Sequence, residues 1–214
     1  MDIRKVWEYA NLAYTPEKLP DDVHRMRYGN NSGFYLIDGS TLVVSFQGTG
    51  TLSDEKLINK IKDWQSNLSF WDLNSNGVHD GFESGLKPFL PELEIVLTTL
   101  SFDKIIFTGH SLGGALAILA AYHFGVDADA ISFGAPAQGD QRYANAVNMM
   151  KINVVNYVNG WDPVPSYPMK RLGYIHAGKT IRIEAPWWKN IPILRVKFHV
   201  PKAYEKAITT FYSK

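Results

Sequence analysis

Apolar and polar positions along the 214 residues follow two alternating rhythms. Short β-branched and aromatic runs at residues 34–37, 41–46, 104–108, 128–133 and 152–158 read as strands. The first two are joined by Asp38-Gly39-Ser40 and predict a hairpin. Between the later runs lie stretches of helical spacing. Residues 1–13 mix Asp2, Arg4, Lys5 and Glu8 with apolar positions, as a first amphipathic helix does. Residues 54–68 place Leu57, Ile58, Ile61, Trp64 and Leu68 on one stripe, with Ser53 as N-cap and Asp54 and Glu55 suiting the helix dipole. Residues 81–100 predict a helix interrupted around Pro88 and Pro91, and residues 115–124 a helix that is apolar nearly all round. Further helices are expected at 141–150 and 200–212. An irregular aromatic loop is expected at 70–78, and a hairpin around Gly178 within 171–183. Strands alternating with helices predict a single α/β domain, with ligands at the carboxyl ends of a mostly parallel sheet.

Composition narrows the chemistry. A net charge of +1 gives no footprint for nucleic acid. No cysteine is present, which removes disulfides, thiolate metal sites and cysteine nucleophiles. No run approaches the length of a transmembrane helix, and the N-terminal residues lack the apolar core of a signal peptide. The expectation is a cytoplasmic protein, with secretion or non-classical release as the alternative.

The strongest local signal is Gly109-His110-Ser111-Leu112-Gly113-Gly114, which sits between the 104–108 strand and the 115–124 helix. Strand, Gly-x-Ser-x-Gly, helix is the context of a nucleophile elbow. The glycines permit a strained turn that exposes Ser111 Oγ at the sheet edge, while the first N–H groups of the helix face a developing oxyanion.

A serine hydroxyl needs a base, and the base needs an acid to fix its tautomer. In α/β hydrolases the acid and then the base come after the serine. Asp162 stands beyond the 152–158 strand and the turn Asn159-Gly160-Trp161, and precedes Pro163-Val164-Pro165. It reads either as the acid or as an Asx-turn residue capping a proline-rich loop. Asp127, Asp129 and Asp140 are weaker candidates. His24, His79, His110 and His123 read as structural. His199, ahead of the last helix, and His176, in the expected hairpin, remain for the base.

The chain resembles the class 3 lipase family, typified by fungal triacylglycerol lipases. The resemblance rests on Val44-Ser45-Phe46-Gln47-Gly48-Thr49, Asp63-Trp64 through Asn67-Leu68, Val78-His79-Asp80-Gly81-Phe82, Phe133-Gly134-Ala135-Pro136 and Asp162-Pro163-Val164-Pro165. All stand in the family's order around the serine motif. Two features depart from it: Gln47 stands where arginine is usual, and the segment from Asp162 to His199 is shorter than in the fungal enzymes. The resemblance implies an α/β-hydrolase fold with Ser111 as nucleophile and Asp162 as acid. His199 would be the base in a pattern like His-x-x-x-x-Tyr with Tyr204, and His176, in Gly173-Tyr174-Ile175-His176, would be non-catalytic. The backbone N–H groups of Thr49 and Leu112 would form the oxyanion hole.

These residues together imply a carboxylic ester hydrolase, in the first place a lipase cleaving acylglycerols and needing no metal or other cofactor. Phospholipase A or small-ester esterase activity on the same site is the alternative. From another class comes a non-catalytic lipid- or partner-binding protein on the same scaffold. Residues 51–62 are read either as a lid over Ser111, whose apolar stripe would make transient contact with a lipid surface, or as a fixed helix packed on the core.

Overall fold

A computed structural model describes residues 1–20, 23–48, 72–167, 172–183 and 192–213. The expected lid at 51–62, the expected helix at 54–68 and Thr49 lie outside the described residues. Among the described residues, seven strands form one sheet in chain order: β1 (His24–Tyr28), β2 (Asn31–Asp38), β3 (Thr41–Phe46), β4 (Lys104–His110), β5 (Ala128–Phe133), β6 (Ile152–Asn159) and β7 (Lys179–Ile183). The first three are antiparallel to one another, and β3 to β7 run parallel. The β2–β3 hairpin closes at the pair Asp38 and Thr41, so Gly39-Ser40 forms a two-residue loop.

Two differences from the sequence reading have plain causes. β1, an edge strand with sequence His-Arg-Met-Arg-Tyr, buries only Met26 and so carries no apolar run to read. Residues 172–183 do not form the expected hairpin. Ile175 instead bridges Gly139, which draws the chain away, and Lys179–Ile183 alone joins the sheet, parallel to β6. A parallel neighbour demands a connection that crosses back, which a tight hairpin turn cannot supply.

The helices cover both faces. On one side lie α2 (Asp80–Leu86), α3 (Leu90–Thr99), α4 (Leu112–Phe124) and α5 (Gln141–Met149), packed on Leu42, Val44, Phe107, Ala130 and Val154. A 3₁₀ turn at Lys87–Phe89 separates α2 from α3, because Pro88 and Pro91 each remove a helix N–H donor. Residues Gly113 to Ala121 of α4 are all buried, as its all-round apolar sequence requires. On the other face α1 (Ile3–Leu12) and α6 (Pro201–Phe211) pack together. Val6, Trp7 and Ala10 meet Tyr204, Ala207 and Ile208 over Ile106, Phe133 and Tyr157. Asp2 caps α1 through the Arg4 N–H at 3.0 Å, and Pro201 opens α6 at a position where no N–H is needed.

Gly113 marks where α4 crosses the end of β3. A Cβ there would fall 2.1 Å from the Phe46 carbonyl oxygen, which is backbone and cannot swing aside. Gly113→Ala is therefore expected to cost about 1–3 kcal/mol, read as a fall of several degrees in Tm. An unchanged Tm would show a crossing with room for a methyl group.

Candidate active site

The parallel strands end on one edge, and their last residues and the adjoining turns carry the candidate groups. β4 ends at His110. Ser111 then adopts φ 58° and ψ −130°, the only positive φ at a non-glycine position among the described residues, and α4 begins at Leu112. Such a conformation costs on the order of 1–3 kcal/mol and persists only where surroundings enforce it. Here the Ser111 N–H donates to the Phe133 carbonyl at 2.9 Å, tying the elbow to the end of β5. Leu112 contributes the first backbone N–H of α4.

Asp162 lies just beyond β6. Its N–H returns to the Asn159 carbonyl at 2.9 Å, and its Oδ1 accepts the Val164 N–H at 2.9 Å. That is the Asx-turn of the sequence reading. The other oxygen, Oδ2, accepts from His199 Nδ1 at 2.8 Å and from the Tyr204 hydroxyl at 2.7 Å. The two readings of Asp162 thus use different oxygens of one carboxylate and do not compete.

His199 sits in the turn between a 3₁₀ segment (Pro192–Phe198) and α6. With its Nδ1 hydrogen donated to Asp162, its Nε2 lone pair faces Ser111 Oγ at 2.9 Å. Both side chains, His199 and Asp162, are fully buried. The sequence predicts an exposed Ser111; it is only 4% accessible, with the His199 ring against its hydroxyl.

The turns bearing Asp162 and His199 are joined by two further residues. Asn159 Nδ2 donates to the Phe198 carbonyl at 2.9 Å. The Tyr204 hydroxyl accepts the Asn159 N–H at 3.0 Å while donating to Asp162. Burial, and after it the Asp162 charge, holds the Tyr204 phenol well above its ordinary range, so it remains a donor.

The other histidines have separate tasks. His79 caps α2, with Nδ1 accepting the Gly81 and Phe82 N–H groups at 3.0 and 3.2 Å. This gives the Val-His-x-Gly-Phe motif a structural reason. His24 stacks on Tyr35 across the β1–β2 pair, and His123 lies in the last turn of α4. His176 donates from Nε2 to the Pro165 carbonyl at 2.7 Å, bracing the loop after Asp162. His110, which the sequence suggests is simply structural, lies beside His199 with ring centroids 4.7 Å apart. Among the weaker acids, Asp140 caps α5 through the N–H groups of Arg142 and Tyr143, and Asp129 accepts from Asn153. Gln47, just past the end of β3, accepts a hydrogen bond from the Ser32 hydroxyl of β2.

Burial holds both His176 and His110 below the ordinary histidine value of 6.5; at His110 the neighbouring His199 adds to the effect. The unfolded chain takes up protons near pH 6.5 that the folded chain refuses, so stability rises with pH across this range. We expect full stability from these two groups above that pH. Below it, at most about 1.4 kcal/mol per pH unit should be lost for each histidine until its folded-state value is reached. Equal urea midpoints at pH 7.5 and pH 5 would contradict this.

Comparison with known proteins agrees with this fold. The family described as lipase (class 3) matches residues 43–172, more than half of the chain. A secreted mono- and diacylglycerol lipase of Fusarium solani is 29% identical over 150 residues, covering 64% of this chain and 45% of that protein. A secreted mono- and diacylglycerol lipase of Malassezia restricta is 31% identical over 126 residues, covering 54% and 40%. The chain thus spans less than half the length of these relatives. A lipase structure from Rhizopus microsporus var. chinensis superposes with a TM-score of 0.69 at 25% identity, covering 86% of this chain and 75% of that one. The α/β-hydrolase fold is shared with it. The expected cytoplasmic setting needs correction, because both relatives carry names as secreted proteins, which points to secretion. The polar residues of Asp2–Glu8 belong to a folded, capped helix and say nothing of destination.

Proposed function

The chain belongs to the class 3 lipase family, and from that premise we propose that it is a serine carboxylester hydrolase cleaving acylglycerol esters. One observation carries the reading. A buried chain of hydrogen bonds runs from Ser111 Oγ to His199 Nε2 at 2.9 Å and from His199 Nδ1 to Asp162 Oδ2 at 2.8 Å. His199 takes the hydroxyl proton as Ser111 Oγ attacks the ester carbonyl. Asp162, held by Val164 and Tyr204, stabilises the imidazolium that results. The backbone N–H of Leu112, with that of Thr49, receives the tetrahedral oxyanion, a contribution worth about 10²–10³ in kcat per donor. His199 then returns its proton to the departing alkoxide, and water releases the acyl group by the same route.

Acylglycerols are the preferred substrate class because relatives named as mono- and diacylglycerol lipases share the family with this chain. The test joins labelling by a fluorophosphonate probe to a panel of diacylglycerol, triacylglycerol, phospholipid and p-nitrophenyl esters. The expected result is labelling at Ser111 with the highest kcat/KM on an acylglycerol. Preference for phospholipid or for short soluble esters would move the substrate assignment. No labelling and no turnover would favour a binding protein on this scaffold.

A further inference from the structure

His110 is enclosed by aromatic rings: Trp7 at 5.8 Å, Tyr14 at 5.7 Å and Tyr204 at 5.2 Å between centroids, besides His199. It is fully buried, and each ring nitrogen has a partner. Nε2 lies 2.7 Å from the backbone carbonyl of His199, and Nδ1 lies 2.9 Å from the Tyr14 hydroxyl. A carbonyl can only accept, so Nε2 carries the hydrogen and Nδ1 offers a lone pair. The Tyr14 hydroxyl must therefore be the donor. The His110 carbonyl, at 3.3 Å from the same hydroxyl, is its more distant acceptor. Burial raises the Tyr14 phenol well above the ordinary range, which keeps that hydrogen in place, and the hydroxyl itself accepts the Gly48 N–H. The fit at Gly48 is close: a Cβ there would fall 2.1 Å from the Tyr14 oxygen and 2.5 Å from the His110 carbonyl.

From this chain of contacts we infer that Tyr14 and His110 are a positioning pair for the base. The Tyr14 hydroxyl fixes His110 in the Nε2–H tautomer that grips the His199 carbonyl. The side chain of His199 is held at Nδ1 by Asp162, and its backbone is held at the carbonyl by His110, so the ring can move little along the Nε2–Ser111 line. An unprotonated His110 also leaves room beside it for the imidazolium that forms on His199 during reaction. A proton on His110 would repel that charge. The same hydroxyl joins the end of β3, through Gly48, to the serine elbow. The inference rests on the serine hydrolase reading of Ser111 and His199.

The test uses the whole chain and three variants, Tyr14→Phe, His110→Gln and His110→Leu. Nitrogen-15 spectra of the wild-type histidine rings report the His110 tautomer without reference to activity. Ester kinetics and the rate of Ser111 labelling by a fluorophosphonate report the base. We expect the Nε2–H tautomer in the wild type. In Tyr14→Phe, kcat and labelling rate should fall roughly ten- to a hundredfold with KM nearly constant, because small displacements of reacting groups cost that much. His110→Leu should fall at least as far. His110→Gln, which keeps a donor for the carbonyl and an acceptor for Tyr14, should recover most of the rate. The Nδ1–H tautomer in the wild type, or wild-type kcat and labelling in Tyr14→Phe, would overturn the pairing. Failure of the wild-type chain to label at all would instead overturn the serine hydrolase reading, so the two failures are distinct.

Discussion

Ser111→Ala is expected to abolish ester hydrolysis, lowering kcat/KM by a factor on the order of 10⁴ or more while the fold survives. In the proposed mechanism the hydroxyl oxygen is the reacting atom, and its hydrogen bond is to His199 Nε2. The backbone bond from Ser111 N–H to the Phe133 carbonyl does not involve the side chain and persists in alanine. Alanine keeps the Cβ, so the unusual backbone at φ 58° is neither newly strained nor relieved. Loss of fluorophosphonate labelling should accompany the loss of turnover, with Tm close to wild type. A variant retaining more than about a tenth of the wild-type kcat would end the acyl-enzyme mechanism, since triad losses are far larger.

The two candidate bases should separate as widely. His199→Ala removes the acceptor of the serine proton and leaves the Asp162 carboxylate buried, with Tyr204 as the remaining partner of Oδ2. Turnover should fall on the order of 10⁴-fold, and the uncompensated carboxylate should lower stability as well. His176→Ala removes one hydrogen bond to the Pro165 carbonyl and leaves that oxygen unpaired, a loss of about 1–3 kcal/mol in stability. Its effect on kcat should be slight, arriving only through loosening of the loop after Asp162. Turnover by both variants on a soluble ester, with urea midpoints for each, decides the matter. The reverse ranking would make His176 the base.

The parts of the fold that can be read directly are those where burial is uniform. β2 to β6 are short β-branched or aromatic runs, and the serine turn announces itself through glycines that a crossing helix requires. β1 escapes because an edge strand whose one buried residue, Met26, stands between two arginines looks like any polar segment. β7 reads as half of a hairpin because apolar alternation does not say whether a neighbour runs parallel or antiparallel. Asp162 stands out by its turn, as acid or as Asx-turn cap, whereas His199 and His176 stay level until the family pattern separates them. Tyr14 and His110 give no functional signal for a different reason. Tyr14 lies in the turn just after an amphipathic helix, with no local signature, and its partner lies 96 positions away. The direction of His110 from Ser111 Oγ makes it look structural, while its contact is with the backbone of another histidine. Long-range pairing of this kind leaves no periodic trace in the sequence.

The packing of α6 on α1, with Trp7 stacked on Tyr204 at 5.7 Å, bears on when the proposed triad is completed during folding. Neighbouring strands of the sheet are consecutive in the chain, so each new strand can add to an edge already formed. His199 arrives after all of them, and its turn is held by a helix that must find the first one, formed at the other end of the described chain. Closing so long a loop is entropically costly and slow relative to local pairing. Secondary structure should therefore return first in a refolding experiment, with reactivity toward a fluorophosphonate trailing behind it. Simultaneous recovery would show that both ends dock before the sheet is complete. A nascent chain ordered in this way carries Ser111 through synthesis before His199, the base proposed for it, is in place.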